Sequence, residues 1–365
     1  MNIPIFHTYV DPDASKLVNQ VLSSTFLSEG DTVVQFEKML EATFNIKNVV
    51  TVNSGTSALH LALALAGVQP DDEVILPAQT FVATGLVILQ QRAKPIFADI
   101  DYHTGNISVA SISEKISSKT KAIIPVHWGG YPCDMDEIMA LAKRHQVAVI
   151  EDAAHALGAT YRNQPVGTIA DFTCFSFQAI KHLTTGDGGA ISLRTNHLND
   201  AIAKRWFGID RKKSPQTELG ERDYNITELG FKYHLNNYAA ALGIANLKTF
   251  EARMHHRLAI AKVYRDGLVN VDGLRLFEYA DDRTSAYWLF GMHVENRLNF
   301  IRMLRARGVT ASVVHQRIDR NDVFGGQHDL PQQAAFDATQ IHIPIHPGVS
   351  LDEAHQIADC IKAGW

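Results

Sequence analysis

Short apolar runs recur through the first 200 residues, and helical patterns fill the gaps between them. "DEVILPA" (72–78), "AKPIFADI" (93–100), "KAIIPVH" (121–127), "VAVIED" (147–152), "FTCFSF" (172–177) and "GAISL" (189–193) read as strands. "ALHLALALAG" (58–67) reads as a buried helix that ends at a glycine. "DMDEIMALAKRH" (134–145) has helical periodicity and an acidic start that suits the helix dipole. Strands that alternate with helices predict a mostly parallel sheet covered by helices on both faces. Ligands of such sheets sit outside the carboxyl ends of the strands. The positions to watch are therefore Gln79, Thr80, His127, Asp152 and Ser176.

The chain has 365 residues, enough for two unequal lobes. Residues 236–266 read as one long linking helix, broken or bent near Gly243. The remainder reads as a smaller α/β lobe, with strands in "AYWLFGMHV" (286–294) and "TASVVH" (310–315) and a closing helix over 351–363. The polar stretch 211–226 reads as a long exposed loop. Expected boundaries are 1–245 for the large domain and 246–365 for the small C-terminal domain. A net charge of −5 argues against a nucleic-acid surface, which would be basic. Seventeen histidines are scattered without a metal-ligand spacing. Cys133, Cys174 and Cys360 lie far apart and form no C-x-x-C pair, which fits a reducing compartment. "SALHLALALAGV", the most apolar run, is too short to span a bilayer and contains His60. The N-terminus carries no signal-peptide pattern, so a soluble cytoplasmic protein is expected.

Three segments carry candidate chemistry. In "VNSGTSALHLAL", Gly55, Thr56 and Ser57 stand before a helix, where free N–H groups and hydroxyls either bind a phosphate or merely cap the helix. In "VAVIEDAAHALGA", Asp152 ends a strand and wants a cationic or N–H partner, unless it caps the next helix. His155 either contacts the same ligand or packs. Lys181 follows Asp152 by 29 residues, within "FSFQAIKHLTTGDGGAISL". Gly186, Gly188 and Gly189 allow a tight return over the sheet, and Ser176 can donate to a phosphate. A lysine in a water-poor pocket has a lowered pKa and becomes a nucleophilic amine. A phosphate cradle, an acidic partner and such a lysine are what pyridoxal phosphate requires. No G-x-x-x-x-G-K-[ST] motif is present, so this is no P-loop.

The motifs "NSGTSAL", "DEVILPAQTFVAT", "PIFADID", "VHWGGYPCDMDEI", "VIEDAAHALGA", "CFSFQAIKHLTTGDGGAIS", "LNNYAAALGIANL" and "IHIPIH" run through nearly the whole chain. In this order they resemble the DegT-type nucleotide-sugar aminotransferases, which have the aspartate aminotransferase fold (fold type I). The resemblance implies pyridoxal 5'-phosphate and transfer of an amino group from L-glutamate to a nucleotide-linked keto sugar, with a 4-keto-6-deoxyhexose as the first expectation. It implies amino-sugar, O-antigen or related glycan synthesis, and a homodimer with shared active sites. Lys181 matches the Schiff-base lysine and Asp152 the carboxylate on the pyridine nitrogen. Thr56, Ser57 and Ser176 match phosphate contacts. Phe81 matches the aromatic that stacks on the cofactor, and His155 the residue beside the ring hydroxyl. Trp288, His315, Arg317 and Arg320 lie where relatives approach the sugar nucleotide; each is either a substrate contact or an ordinary structural residue.

Two departures stand out. Gly186-Asp187-Gly188-Gly189 replaces a common G-E-G-G. In "GFKYHLN", Lys232 replaces an asparagine that reaches the partner subunit's cofactor phosphate; an ammonium can still meet a phosphate. His234 stands there for the usual arginine. A sugar dehydratase of this family would carry histidine in place of Lys181. A non-catalytic regulator on this fold would not need Lys181 and Asp152 together.

Overall fold

The computed structural model describes residues 2–194 and 197–365. Its centre is a seven-stranded sheet: β1 (Val49–Val52), β2 (Glu73–Pro77), β3 (Lys94–Ala98), β4 (Thr120–Ile123), β5 (Ala148–Asp152), β6 (Phe172–Ser176) and β7 (Gly189–Leu193). The spatial order is β1-β7-β6-β5-β4-β2-β3. Strands β6, β5, β4, β2 and β3 run parallel, and β7 is antiparallel to both of its neighbours. The carboxyl ends of β1, β5 and β6 and the start of β7 therefore share one edge, with Val52 opposite Gly189 and Ser176 opposite the same residue.

Helices cover both faces, as the alternation predicted. Helix α3 (Gly55–Leu65) is buried almost all round, which explains an apolar run with no polar stripe. With α4 (Ala83–Gln90) it closes one face over Val50, Val52, Leu76 and Ile150. Helices α1 (Ala14–Ser24) and α2 (Asp31–Phe44), not anticipated from the sequence, close part of the other face through Phe36, Leu40 and Phe44. At roughly 1.5–3 kcal/mol for each fully buried large apolar side chain, these layers supply most of the drive to fold.

The linking segment is two helices, α5 (Asn237–Leu247) and α6 (Phe250–Leu268), and the break falls at Lys248–Thr249 rather than at Gly243. Gly243 serves packing: a Cβ there would meet Phe36 at 2.6 Å and Thr185 at 2.8 Å. At the break, the Asn246 carbonyl accepts from the Arg253 guanidinium at 2.6 Å. A second core follows around a three-stranded sheet of β8 (Leu274–Leu276), β9 (Phe290–Val294) and β10 (Gln340–Ile343). Ile3 and the closing helix α7 (Leu351–Lys362) pack into it, the helix starting at a Ser350–Glu353 capping box. Residues 310–315 form no strand. Ser312 makes a single bridge to His342, and the His315 carbonyl is taken by the side chains of Gln79 and Gln340.

Candidate active site

A cavity of about 340 Å³ opens at the shared sheet edge. Its floor is built by backbone contact. The start of α3 lies against the end of β6, where a Cβ on Gly55 would meet the Ser176 Cβ at 2.9 Å. Gly189 lies against the same turn, where a Cβ would come within 2.6 Å of the Ser54 carbonyl group. Ser54 caps α3, its hydroxyl accepting from the Ser57 N–H at 3.0 Å. The N–H groups of Gly55 and Thr56 have no protein partner among the described residues. Ser54, Gly55, Thr56 and Ser176 all line the cavity. Ser57 stands one position behind it, its hydroxyl donating to Asn53 at 2.6 Å.

Asp152 lies in the cavity wall at the end of β5. Thr84 donates to its Oδ2 at 2.8 Å and the Ala154 N–H to its Oδ1 at 3.2 Å. The Thr80 and Thr84 hydroxyls are 2.7 Å apart and extend the chain into the β2–α4 turn. Burial raises the Asp152 pKa, against the lowering effect of these bonds and of the nearby Lys181 and His127. Thr84 was not singled out from the sequence; its signal is the hydroxyl that ends the quoted run "AQTFVAT".

Lys181 sits on an excursion between β6 and β7 that closes on itself. The Phe177 N–H donates to the Gly188 carbonyl at 2.8 Å, and the Thr185 N–H to the Phe177 carbonyl at 3.0 Å. Gly186 takes φ +86° at the tip, which accounts for the Thr–Gly composition of this loop. Phe177 and Leu183 are buried beneath it. Burial lowers the Lys181 pKa to about 7, with Asp152 opposing the shift. His155 and His315 also line the cavity, and burial holds both as neutral imidazoles, His315 at about 4. Phe81 lines the mouth and is 54% exposed, unusual for a large aromatic side chain.

Other expected residues divide. Trp288 is in the cavity wall but almost fully buried. Arg317 is committed elsewhere: it pairs bidentately with the fully buried Asp319, at 2.7 and 2.6 Å, and donates to the His328 carbonyl. These bonds occupy its Nε and Nη2, while Nη1 has no partner among the described residues. Arg320 is exposed in an adjoining groove that shares Thr80, Phe81 and His315 with the cavity. Lys232 is exposed and lies over the Trp206 ring at 4.4 Å, outside the cavity of its own chain. His234 contacts Ser28 and Trp206. His127 turns inward, facing Glu151 and accepting from the Cys133 N–H, so its place at the strand end is structural.

Pyridoxal phosphate fits this set of donors. Two free helix N–H groups with Ser54, Thr56 and Ser176 suit a phosphate. A buried carboxylate without a cationic partner in contact among the described residues suits a protonated pyridine nitrogen. The His155 Nδ1, buried and without a hydrogen-bond partner among the described residues, suits a ring hydroxyl. An amine near neutrality suits an aldehyde. Among the described residues no group of side chains is placed to hold a metal ion, and no helix is long and apolar enough to cross a membrane.

Comparison with known proteins agrees. Residues 9–362 match the model of the DegT/DnrJ/EryC1/StrS aminotransferase family. The GDP-perosamine synthase of Escherichia coli O157:H7 is 34% identical over 289 residues, 79% of this chain and 76% of that protein. The crystal structure of sugar aminotransferase CalS13 from Micromonospora echinospora superposes with a TM-score of 0.94 at 34% identity, covering 100% of both chains. Spr1654 from Streptococcus pneumoniae, solved in its PLP-form, superposes at 0.91 with 27% identity over 100% of this chain and 98% of that one.

Proposed function

We propose that this chain, which belongs to the DegT/DnrJ/EryC1/StrS aminotransferase family and is a pyridoxal-phosphate-dependent sugar aminotransferase, moves the amino group of L-glutamate onto a nucleotide-linked keto sugar. A 4-keto-6-deoxyhexose is the preferred acceptor, and O-antigen or a related glycan the destination. The observation that carries the reading is the convergence of Lys181, Asp152 and the start of α3 on one cavity. The similarity to GDP-perosamine synthase supports the choice of a nucleotide sugar.

Bound pyridoxal phosphate supplies an aldehyde that captures amines and a ring that accepts electrons. The rest falls to the chain. Gly55, Thr56 and Ser176 would hold the cofactor's phosphate. Asp152, oriented by Thr84 and the Ala154 N–H, keeps a proton on the pyridine nitrogen. Lys181 moves protons at Nζ, and a pKa near 7 suits both taking and giving at neutral pH. His155 stays neutral beside the ring hydroxyl. Phe81, at the mouth, would stack on the ring, and His315 and Arg320, in the cavity wall and the adjoining groove, would meet the sugar nucleotide. Lys232, unused by its own cavity, serves the phosphate of a second subunit in a twofold dimer.

The test is a screen of nucleotide-linked 3-keto and 4-keto sugars with L-glutamate, read by mass spectrometry. One acceptor should gain an amino group while 2-oxoglutarate accumulates. Failure of every nucleotide-linked acceptor, with turnover of a free keto sugar or keto acid instead, would overturn the substrate class.

A further inference from the structure

Trp288 is the largest side chain in the cavity wall, and the mechanism above leaves it without a task. Its ring is fixed from several directions. The indole N–H donates to the carbonyl of Ile180 at 3.1 Å, one residue before Lys181. His155 stacks on the ring at 3.8 Å and 15°, and Phe6, from the N-terminal segment, at 5.1 Å and 24°. The preceding Tyr287 is held at φ +46°, a left-handed conformation that a bulky residue adopts only when its surroundings impose it. Arg257 fixes the Tyr287 carbonyl at 2.9 Å, and the Leu289 N–H donates to the Gly129 carbonyl at 3.1 Å. Gly130 admits this backbone, since a Cβ there would meet the Trp288 nitrogen at 3.1 Å. A side chain so tethered, 2% exposed, is no adaptable substrate contact. Lys181 Nζ lies 3.7 Å from the centre of its ring.

We propose that Trp288 is a positioning residue for Lys181, its indole face receiving the ammonium whenever the lysine is released from the cofactor and carries a proton. The proposal rests on the reading of Lys181 given above. An aromatic face attracts a cation through its quadrupole and a neutral amine far less. Nζ alternates between charge 0 and +1 as it takes up and returns one proton, so the ring favours only the proton-carrying form. The other groups around Nζ come from separate elements. Asp152, at the end of β5, also favours the cation. His155, His182 and His315 are held neutral by burial, and Asp187 stands in the cavity wall. Burial pulls the amine down while ring and carboxylate hold it up. The hydrogen bond to Ile180 keeps the ring in register with the lysine's own backbone.

The free amine can be titrated directly. With the protein loaded with pyridoxamine phosphate, Lys181 is acetylated by acetic anhydride across a pH series, and the modified peptide is quantified by mass spectrometry. Only the neutral amine reacts, so the midpoint reports its pKa. Trp288→Leu should move the midpoint down by roughly 0.5–1.5 pH units, the range expected for loss of a desolvated cation–π contact. Trp288→Phe, which keeps a smaller face, should shift it less. An unchanged midpoint in Trp288→Leu overturns the proposal. Should the leucine variant fail to fold, mono-, di- and trifluorotryptophan placed at 288 alone keep the shape and weaken the face stepwise. The midpoint should then fall with each fluorine, and a flat series overturns the proposal. Failure of the parent reading looks different: Lys181→Ala would retain the cofactor's lysine-bound absorbance band, whatever the midpoints do.

Discussion

Replacing Thr84 by valine removes one hydroxyl and keeps the shape of the side chain. That hydroxyl donates to Asp152 Oδ2 at 2.8 Å, and the carboxylate's other bond, from the Ala154 N–H, is longer at 3.2 Å. A hydrogen bond to an ionised group contributes about 1.5–3 kcal/mol. Expressed wholly on the charged form, its loss raises the Asp152 pKa further, on top of the rise that burial already causes. The sign follows from proton counts. A carboxyl whose pKa is raised by folding binds more protons in the folded state, so stability falls as pH rises from the unfolded to the folded pKa. The cost is complete above the folded value and absent below the unfolded one. Thr84→Val should therefore be less stable than wild type at pH 7, with the gap closing as pH falls to about 4. In the loaded enzyme the acidic limb of kcat should move to higher pH, because a protonated Asp152 cannot hold the pyridine proton. Urea unfolding of the cofactor-free protein at both pH values and a pH–rate profile supply the readings. An equal stability gap at both pH values, with an unmoved acidic limb, would refute the role given to this bond.

Other changes test other parts of the site. Gly55→Val drives a side chain into Ser176 and should cost about 1–3 kcal/mol of stability while weakening cofactor binding in a spectral titration; tight binding with an unchanged Tm would contradict the close approach. Asp319→Ala strands the Arg317 guanidinium in the interior and should cost about 3–5 kcal/mol in urea unfolding, whereas a loss below ~1 kcal/mol would show a solvated pair. Mixing inactive Lys181→Ala with an impaired Lys232→Ala chain should restore activity as subunits exchange, because a mixed dimer then holds one undamaged site. No recovery, or a Lys232→Ala chain as active as wild type, would remove Lys232 from the partner's cavity.

The sheet and its active edge were legible because both follow from local pattern. Alternation placed Asp152 and Ser176 at strand ends, and a parallel sheet brings such ends together. The glycines after Lys181 were legible too, since a tight loop beside a sheet edge needs them. What escaped were pairings between distant segments. Thr84 reaches Asp152, at the end of β5, from helix α4, and nothing near either residue announces the other. The sequence left Arg317 open between a substrate contact and a structural residue, and its pair with Asp319, two residues on, shows only once the turn between them is seen. Gly243 reads as a helix breaker, yet it is there for Phe36, which lies some 200 residues earlier in the chain. His127 met the strand-end rule and turned inward because Glu151, alternating to the other side of β5 from Asp152, draws it there. The strand expected at 310–315 failed because glutamine side chains, rather than a neighbouring strand, satisfy the His315 carbonyl.

In the proposed enzyme the cofactor is bonded to Lys181 in the cavity that Asp152 and the start of α3 share. Reduction of the loaded enzyme with borohydride makes such a bond permanent, and peptide mass spectrometry then locates it. The reduced cofactor should be found on the peptide carrying Lys181, and in the Lys181→Ala variant it should be found nowhere. A cofactor fixed to any other lysine, or none fixed in the wild-type chain, would contradict the account.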